Sequence, residues 1–176
     1  MSTQRVLDPC CGGRMFWFDK DNRECIFGDI RRESGIIYDG RDGRRTLQVA
    51  PDQIMDITAL PFPDGRFNLV VFDPPHLDSA GPKSWQAAKY GKLPKEWRPM
   101  LTKGFSECFR VLAENGVLIF KWNETKIPLR EVLSLTANKP LFGQTTTVSL
   151  KTHWIVFMKP LASRSAPPDT RPVEEK

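Results

Sequence analysis

The 176-residue sequence holds only four cysteines and two histidines, and no two cysteines stand in a Cys-x-x-Cys pair. Zinc-type ligand spacing is therefore absent, and no metal is expected. Cys10 and Cys11 are adjacent, a geometry unsuited to a mutual disulfide, so Cys10, Cys11, Cys25 and Cys108 read as reduced thiols. No apolar run approaches the ~18 residues of a membrane-spanning helix. Met1-Ser2-Thr3-Gln4-Arg5 lacks the apolar stretch of a secretion signal. These absences predict a cytoplasmic protein with no membrane partner. Two phosphate-binding signatures are missing too. There is no Gly-x-Gly-x-x-Gly, which disfavours a dinucleotide site, and no Gly-x-x-x-x-Gly-Lys-Ser/Thr, which disfavours an NTPase.

What is present is the balance of a globular chain, 40% hydrophobic and 27% charged. A chain of this size buries about 70% of its unfolded surface and needs no staple. One domain over residues 1–160 is expected. The Ser-, Pro- and charge-rich stretch 161–176 reads as a disordered tail. The net charge is +5. Its placement is more informative: Lys83, Lys89, Lys92, Lys95, Arg98 and Lys103 face only Asp78 and Glu96 between residues 77 and 103.

Arg5-Val6-Leu7 is a short apolar run ending in Asp8-Pro9 and a glycine pair, which reads as a buried strand entering a turn. Residues 14–19 have room for a short helix only. Residues 24–29 read as a second strand ending in an acid, 39–45 (DGRDGRR) as a polar turn or hairpin, 47–49 as a third strand and 52–56 as a short turn or helix. Phe67-Asn68-Leu69-Val70-Val71-Phe72 is nearly continuous in apolar residues, the pattern of a strand covered on both faces in a parallel sheet. Residues 77–98 form a long polar loop. Leu101, Phe105, Cys108, Phe109 and Leu112 share one face of a helix over 99–112. Residues 117–122 form another buried strand, and 128–136 a helix with Pro128 in its first turn. Alternation over 145–149 and 153–158 predicts a terminal antiparallel hairpin. The order implies an α/β fold, a mostly parallel sheet with a C-terminal antiparallel hairpin strand. Ligands in such a sheet bind outside the carboxyl ends of the strands. Asp8, Asp29, Asp56 and Asp73 all fall at that rim.

Three motifs on the rim carry chemistry. Asp8-Pro9-Cys10-Cys11-Gly12-Gly13 follows the first strand, where a glycine turn admits a ligand close to the backbone or simply reverses the chain. Asp29 lies sixteen residues beyond Gly13. It can accept from a ribose diol, cap a helix over 30–33, or do both. Asp73-Pro74-Pro75-His76 is the sharpest. The double proline stiffens the backbone and removes two N–H donors. The carboxylate and the freed carbonyls then form an acceptor cluster suited to an NH₂ group, or they merely end the strand beside a solvated acid.

Together, DPCCGG after the first strand, an acid after the second, MDITALPFPDGRFNLVVFDPPH and RVLAENGVLIFKW resemble class I S-adenosylmethionine-dependent methyltransferases, whose fold is Rossmann-like. The Asp-Pro-Pro-His step resembles the (Asp/Asn)-Pro-Pro-aromatic motif of amino-methyltransferases, above all DNA adenine-N6 enzymes. The chain as a whole resembles small phage- and prophage-encoded methyltransferases. The resemblance covers residues 5 to 159 and implies S-adenosyl-L-methionine as cofactor and a nucleic acid, DNA first, as partner. It implies that Asp8, Cys10, Gly12 and Gly13 line the methionine end of the cofactor, with Pro9 and Cys11 among the cofactor-binding residues. It places Asp29 on the ribose, Ile30 on the adenine ring, and Asp56 with Ile57 at the adenine amino group. Asp73, Pro74 and His76 would hold the target amine, with Pro75 completing the catalytic motif. Gly12-Gly13-Arg14 departs from the usual Gly-x-Gly, and Arg14 offers a fork for the cofactor carboxylate. His76 stands where Tyr, Phe or Trp is usual.

In that reading Asp73 and the Pro74 carbonyl take both hydrogens of an amine, His76 stacks on the base, and Trp85, Tyr90 and Trp97 add stacking surface. Lys83, Lys89, Lys92, Lys95 and Arg98 meet phosphates, or else form a solvated charged loop. Phe16, Trp17, Phe18, Trp154 and Phe157 read as core, and Asn123 as a turn residue or a reader of a base edge. RNA or a protein glutamine amide offers the same planar NH₂, and a non-catalytic nucleic-acid-binding protein could keep the fold alone. Cytosine-C5 chemistry is disfavoured, because His76 rather than Cys follows the prolines.

Overall fold

The computed structural model describes residues 4–40, 43–78, 85–144 and 151–161. Its elements in chain order are β1 (Val6–Asp8), β2 (Cys25–Asp29), β3 (Glu33–Gly40), β4 (Gly43–Val49), β5 (Gln53–Ile54), β6 (Phe67–Phe72), α1 (Trp85–Tyr90), α2 (Trp97–Val111), β7 (Leu112–Asn123), α3 (Leu129–Leu133), β8 (Phe142–Gly143) and β9 (Thr152–Met158). Seven strands form one sheet in the order β5-β2-β1-β6-β7-β9-β8, and β3 and β4 pair as a separate ribbon. β5, β2, β1, β6 and β7 run parallel, and β9 runs antiparallel to both its neighbours.

β6 lies at the middle of the sheet. Val70 aligns with Leu7 on one side and Leu118 on the other, and all three are fully buried. This is why its sequence lacks the polar alternation of a one-sided strand. Leu101, Phe105 and Cys108 of α2 join the same core. Gly104 lets the helix approach closely: a Cβ there would stand 3.0 Å from Phe72 Cζ and 3.3 Å from Ile57 Cδ1. The orphan carbonyls at the end of α2 are met by Lys159 Nζ, which donates to Phe109 (2.7 Å) and Leu112 (2.6 Å). On the opposite flank Glu107 and Arg110 clamp the turn leading into β6. The Leu60 N–H donates to Glu107 Oε2 (2.8 Å), and Arg110 donates to the Leu60 and Phe62 carbonyls and to Asp64.

Several local expectations are corrected. Residues 14–19 form turns rather than a helix. Gly12 and Arg14 take left-handed backbone angles (φ +49° and +51°), and Trp17 Nε1 donates to Asp8 Oδ2 (2.8 Å), which ties the turn back to β1. No helix follows Asp29, because the chain turns into the β3–β4 ribbon. β5 replaces the turn or helix expected over 52–56. The loop after His76 contains a helical turn, α1, and α3 is shorter than its sequence pattern. β9 is antiparallel as expected, and its described outer partner is β8. The run 145–149, Lys83 and the tail from 162 lie outside the described residues.

Candidate functional site

The turn after β1 is fastened to the end of β2. The Cys11 N–H donates to the Gly28 carbonyl (2.8 Å), and the Gly12 N–H donates to Asp29 Oδ2 (3.0 Å). Asp29 Oδ1 accepts from the Arg31 N–H (2.9 Å) and Nε (3.2 Å). Asp29 thus organises the turn from its own strand end. Arg31 in turn reaches the Ala88 carbonyl of α1 (2.8 Å), which draws that helix over the rim. Ile30 is 65% exposed, a large apolar side chain left uncovered beside two acids. Asp56 accepts both donors of Thr58, N–H and Oγ1, on one oxygen, Oδ1 (2.8 Å each).

β6 delivers Asp73 to the same rim. Its Oδ2 lies 2.6 Å from Lys121 Nζ on β7. Burial pushes the Asp73 carboxyl up from its ordinary value, and the lysine opposes that shift. The corner was expected to present acceptors only, so this neighbouring donor is a correction. Burial first, and Lys121 second, push His76 down to about 4, so its ring is neutral near pH 7. The ring packs 5.3 Å from Tyr90 and 6.3 Å from Trp122. Pro75 is covered by the chain leaving α1, where Gly91 takes a left-handed angle (φ +74°) and an added Cβ would lie a tight 3.1 Å from Pro75 Cγ.

These pieces enclose a cavity of about 790 Å³. Of the expected residues, Pro9, Cys10, Cys11, Gly12, Gly13, Asp29, Ile30, Asp56, Ile57, Asp73, Pro74, Pro75, His76, Lys89, Tyr90 and Lys92 line it. Others do not. Asp8 is wholly buried, accepts from Trp17 Nε1 and the Cys10 N–H (3.2 Å), and is pushed up to about 7, chiefly by burial. Arg14 is spent on the far side of its turn. It donates to Ala50 (2.9 Å), Asp52 (2.8 Å) and the Lys20 carbonyl, and sits 3.9 Å over Phe27. Trp85, Lys95, Trp97 and Arg98 lie outside the lining; Arg98 covers Trp97 and pairs with Glu131. Burial and the nearby Asp8 push the Cys10 thiol well up, which favours its protonated form.

Sequence reasoning missed Phe16, Arg31, Lys121 and Lys126, which also line the cavity. For Lys121 a signal existed. Phe72 pairs with Phe120 across parallel strands, so the next residue on each, Asp73 and Lys121, emerges side by side. Basic side chains (Arg31, Lys89, Lys92, Lys121, Lys126) outnumber acidic ones (Asp29, Asp56, Asp73) around the opening. Among the described residues no cluster of side chains suits a metal ion, and no helix is long and apolar enough to cross a membrane.

No protein-family model and no curated protein matches the sequence. Solved structures do match. The chain is similar to an S-adenosylmethionine-dependent methyltransferase from Methanosarcina mazei, with a TM-score of 0.54 and 13% identity, covering 92% of this chain and 95% of that one. It is similar also to the PH0226 protein of Pyrococcus horikoshii OT3, with a TM-score of 0.53 and 17% identity over 88% and 81% of the two chains. Such identities speak for the fold. The chain has the Rossmann-like α/β fold of class I methyltransferases, with a mostly parallel seven-stranded sheet and an antiparallel edge.

Proposed function

We propose that this protein transfers a methyl group from S-adenosyl-L-methionine to an exocyclic amine, adenine N6 in DNA being the substrate. The observation that carries the reading is that two sequence motifs line one cavity. Asp73-Pro74-Pro75-His76 lines it together with the Gly12-Gly13 turn, Asp29, Ile30, Asp56 and Ile57. The second group of residues suits the cofactor chemically. Asp29 would accept from ribose hydroxyls, the exposed Ile30 would cover the adenine face, and Asp56 Oδ2 would accept from the adenine amino group. S-adenosylmethionine supplies a sulfonium methyl, whose transfer makes an N–C bond, breaks an S–C bond with the pair going to sulfur, and leaves one proton on nitrogen to be released.

The chain's own part is positioning and electrostatics. An exocyclic adenine amine has its lone pair delocalised into the ring. Asp73 and the Pro74 carbonyl would accept its two hydrogens and turn the lone pair out of conjugation. The rigid prolines hold both acceptors at fixed spacing. The neutral ring of His76, backed by Tyr90 and Trp122, offers a flat face to the base. Such stacking returns roughly 1–3 kcal/mol per base against the few kcal/mol of leaving a duplex. Lys89, Lys92 and Lys126 at the opening suit phosphates.

The test is nucleotide-resolution mapping of methylated bases after expression in a methylation-free bacterial host, with tritium transfer to DNA, RNA and protein pools. Wild type should mark adenine in DNA, and Asp73→Ala should abolish transfer while calorimetry shows cofactor affinity retained. Methyl groups found only in RNA or protein would overturn the substrate. No cofactor binding at all would overturn the activity.

A further inference from the structure

Lys121 belongs to none of the expected roles, yet it makes a close contact with Asp73 in the cavity. Three groups hold its ammonium. Asp73 Oδ2 lies at 2.6 Å, the Phe16 ring at 5.5 Å and the Trp154 ring at 5.7 Å. Phe16 and Trp154 meet each other edge-on at 5.4 Å, and Trp154 sits directly opposite Lys121 in the β7–β9 ladder. Residues read from sequence as core therefore build a cage around a cation. Both charged side chains are mostly withdrawn from water, 15% exposed for Asp73 and 17% for Lys121.

We propose that Lys121 is a positioning residue that keeps Asp73 ionised and pins its Oδ2, so that Oδ1 and the Pro74 carbonyl are the acceptors met by a flat, neutral amine. The inference deepens the reading above and rests on it. A carboxyl in this setting tends to take up a proton, because burial penalises the charged form. Protonated, it would turn an O–H toward the amine and lose an acceptor. A charge-assisted contact at 2.6 Å opposes that. The other titratable groups around the pair do not substitute for the lysine. Asp8 at the end of β1 is an acid pushed up to about 7, Cys10 is a protonated thiol, His76 is neutral, and Asp29 is engaged with Arg31 and Gly12. Lys121 also cancels the charge of Asp73, so an alkylammonium gains little there, whereas a planar uncharged NH₂ keeps both hydrogen bonds.

The experiment is a pH titration of full-length protein carrying ¹³C-labelled aspartate carboxyls, with the Asp73 signal assigned by its loss in Asp73→Asn. Lys121→Met should raise the Asp73 midpoint by roughly 1–3 pH units, and Lys121→Arg should restore it; Lys121→Gln is the second neutral variant should Met not fold. The acid limb of methyl transfer should move upward with the same midpoint. Equal midpoints in wild type and the neutral variants would overturn the proposal, as would a loss of transfer with an unmoved acid limb. Wild-type protein that transfers no methyl group to any pool would instead bring down the proposed function, while the titration still judges the pair.

Discussion

Asp29→Asn separates two jobs that one carboxylate does. Asp29 is 5% exposed and accepts from the Gly12 N–H at 3.0 Å and the Arg31 N–H at 2.9 Å, one on each oxygen. The amide keeps the shape and one acceptor, but its NH₂ must face one of those two donors. One half-buried N–H then loses a charged acceptor, a loss of about 2 kcal/mol. For a chain of this length that lowers Tm by roughly 4–8 °C. Arg31 loses its anionic partner as well, and its hold on the Ala88 carbonyl loosens with it. If the same carboxylate also receives ribose hydroxyls, S-adenosylmethionine binding weakens roughly tenfold to a hundredfold. Differential scanning fluorimetry and titration calorimetry read the two effects separately. A Tm within about 1 °C of wild type would refute the anchoring of the glycine turn. A lowered Tm with unchanged affinity would refute the ribose role alone.

Glu107→Gln should cost about 2–3 kcal/mol, because the carboxylate serves both the Leu60 N–H and Arg110. Arg110 first, and the Leu60 N–H after it, hold this carboxyl below its ordinary value of 4.5. Its contribution is therefore complete above that value and drains away as acid protonates the folded form. Urea midpoints of wild type and variant should converge as pH falls, and a gap that fails to narrow would refute the clamp. If Lys89 and Lys92 meet phosphates, polynucleotide binding should fall linearly in log–log form as salt rises, with a shallower slope in the Lys89→Ala, Lys92→Ala double variant. An unchanged slope would remove both lysines from the phosphate contacts.

Local pattern was enough to read the sheet's centre. The apolar run into Asp73 and the matching run into Lys121 identify their strands, because a segment covered on both faces cannot carry polar alternation. The Asp-Pro-Pro corner was equally legible, since proline acts on its own backbone wherever it stands. Arg14 shows the limit. As a basic residue beside a glycine turn it suggested a ligand contact, but two of its partners, Ala50 and Asp52, sit more than thirty-five residues along the chain. The helix expected after it is displaced by left-handed angles at Gly12 and Arg14 and by the reach of Trp17 to Asp8, contacts that outweigh weak local propensity. Lys121 is the clearest case. Its type and its strand were written in the sequence. Its meaning depended on β6 and β7 being neighbours in register and on β9 folding back to set Trp154 across from it, and such adjacency is created by non-local packing alone.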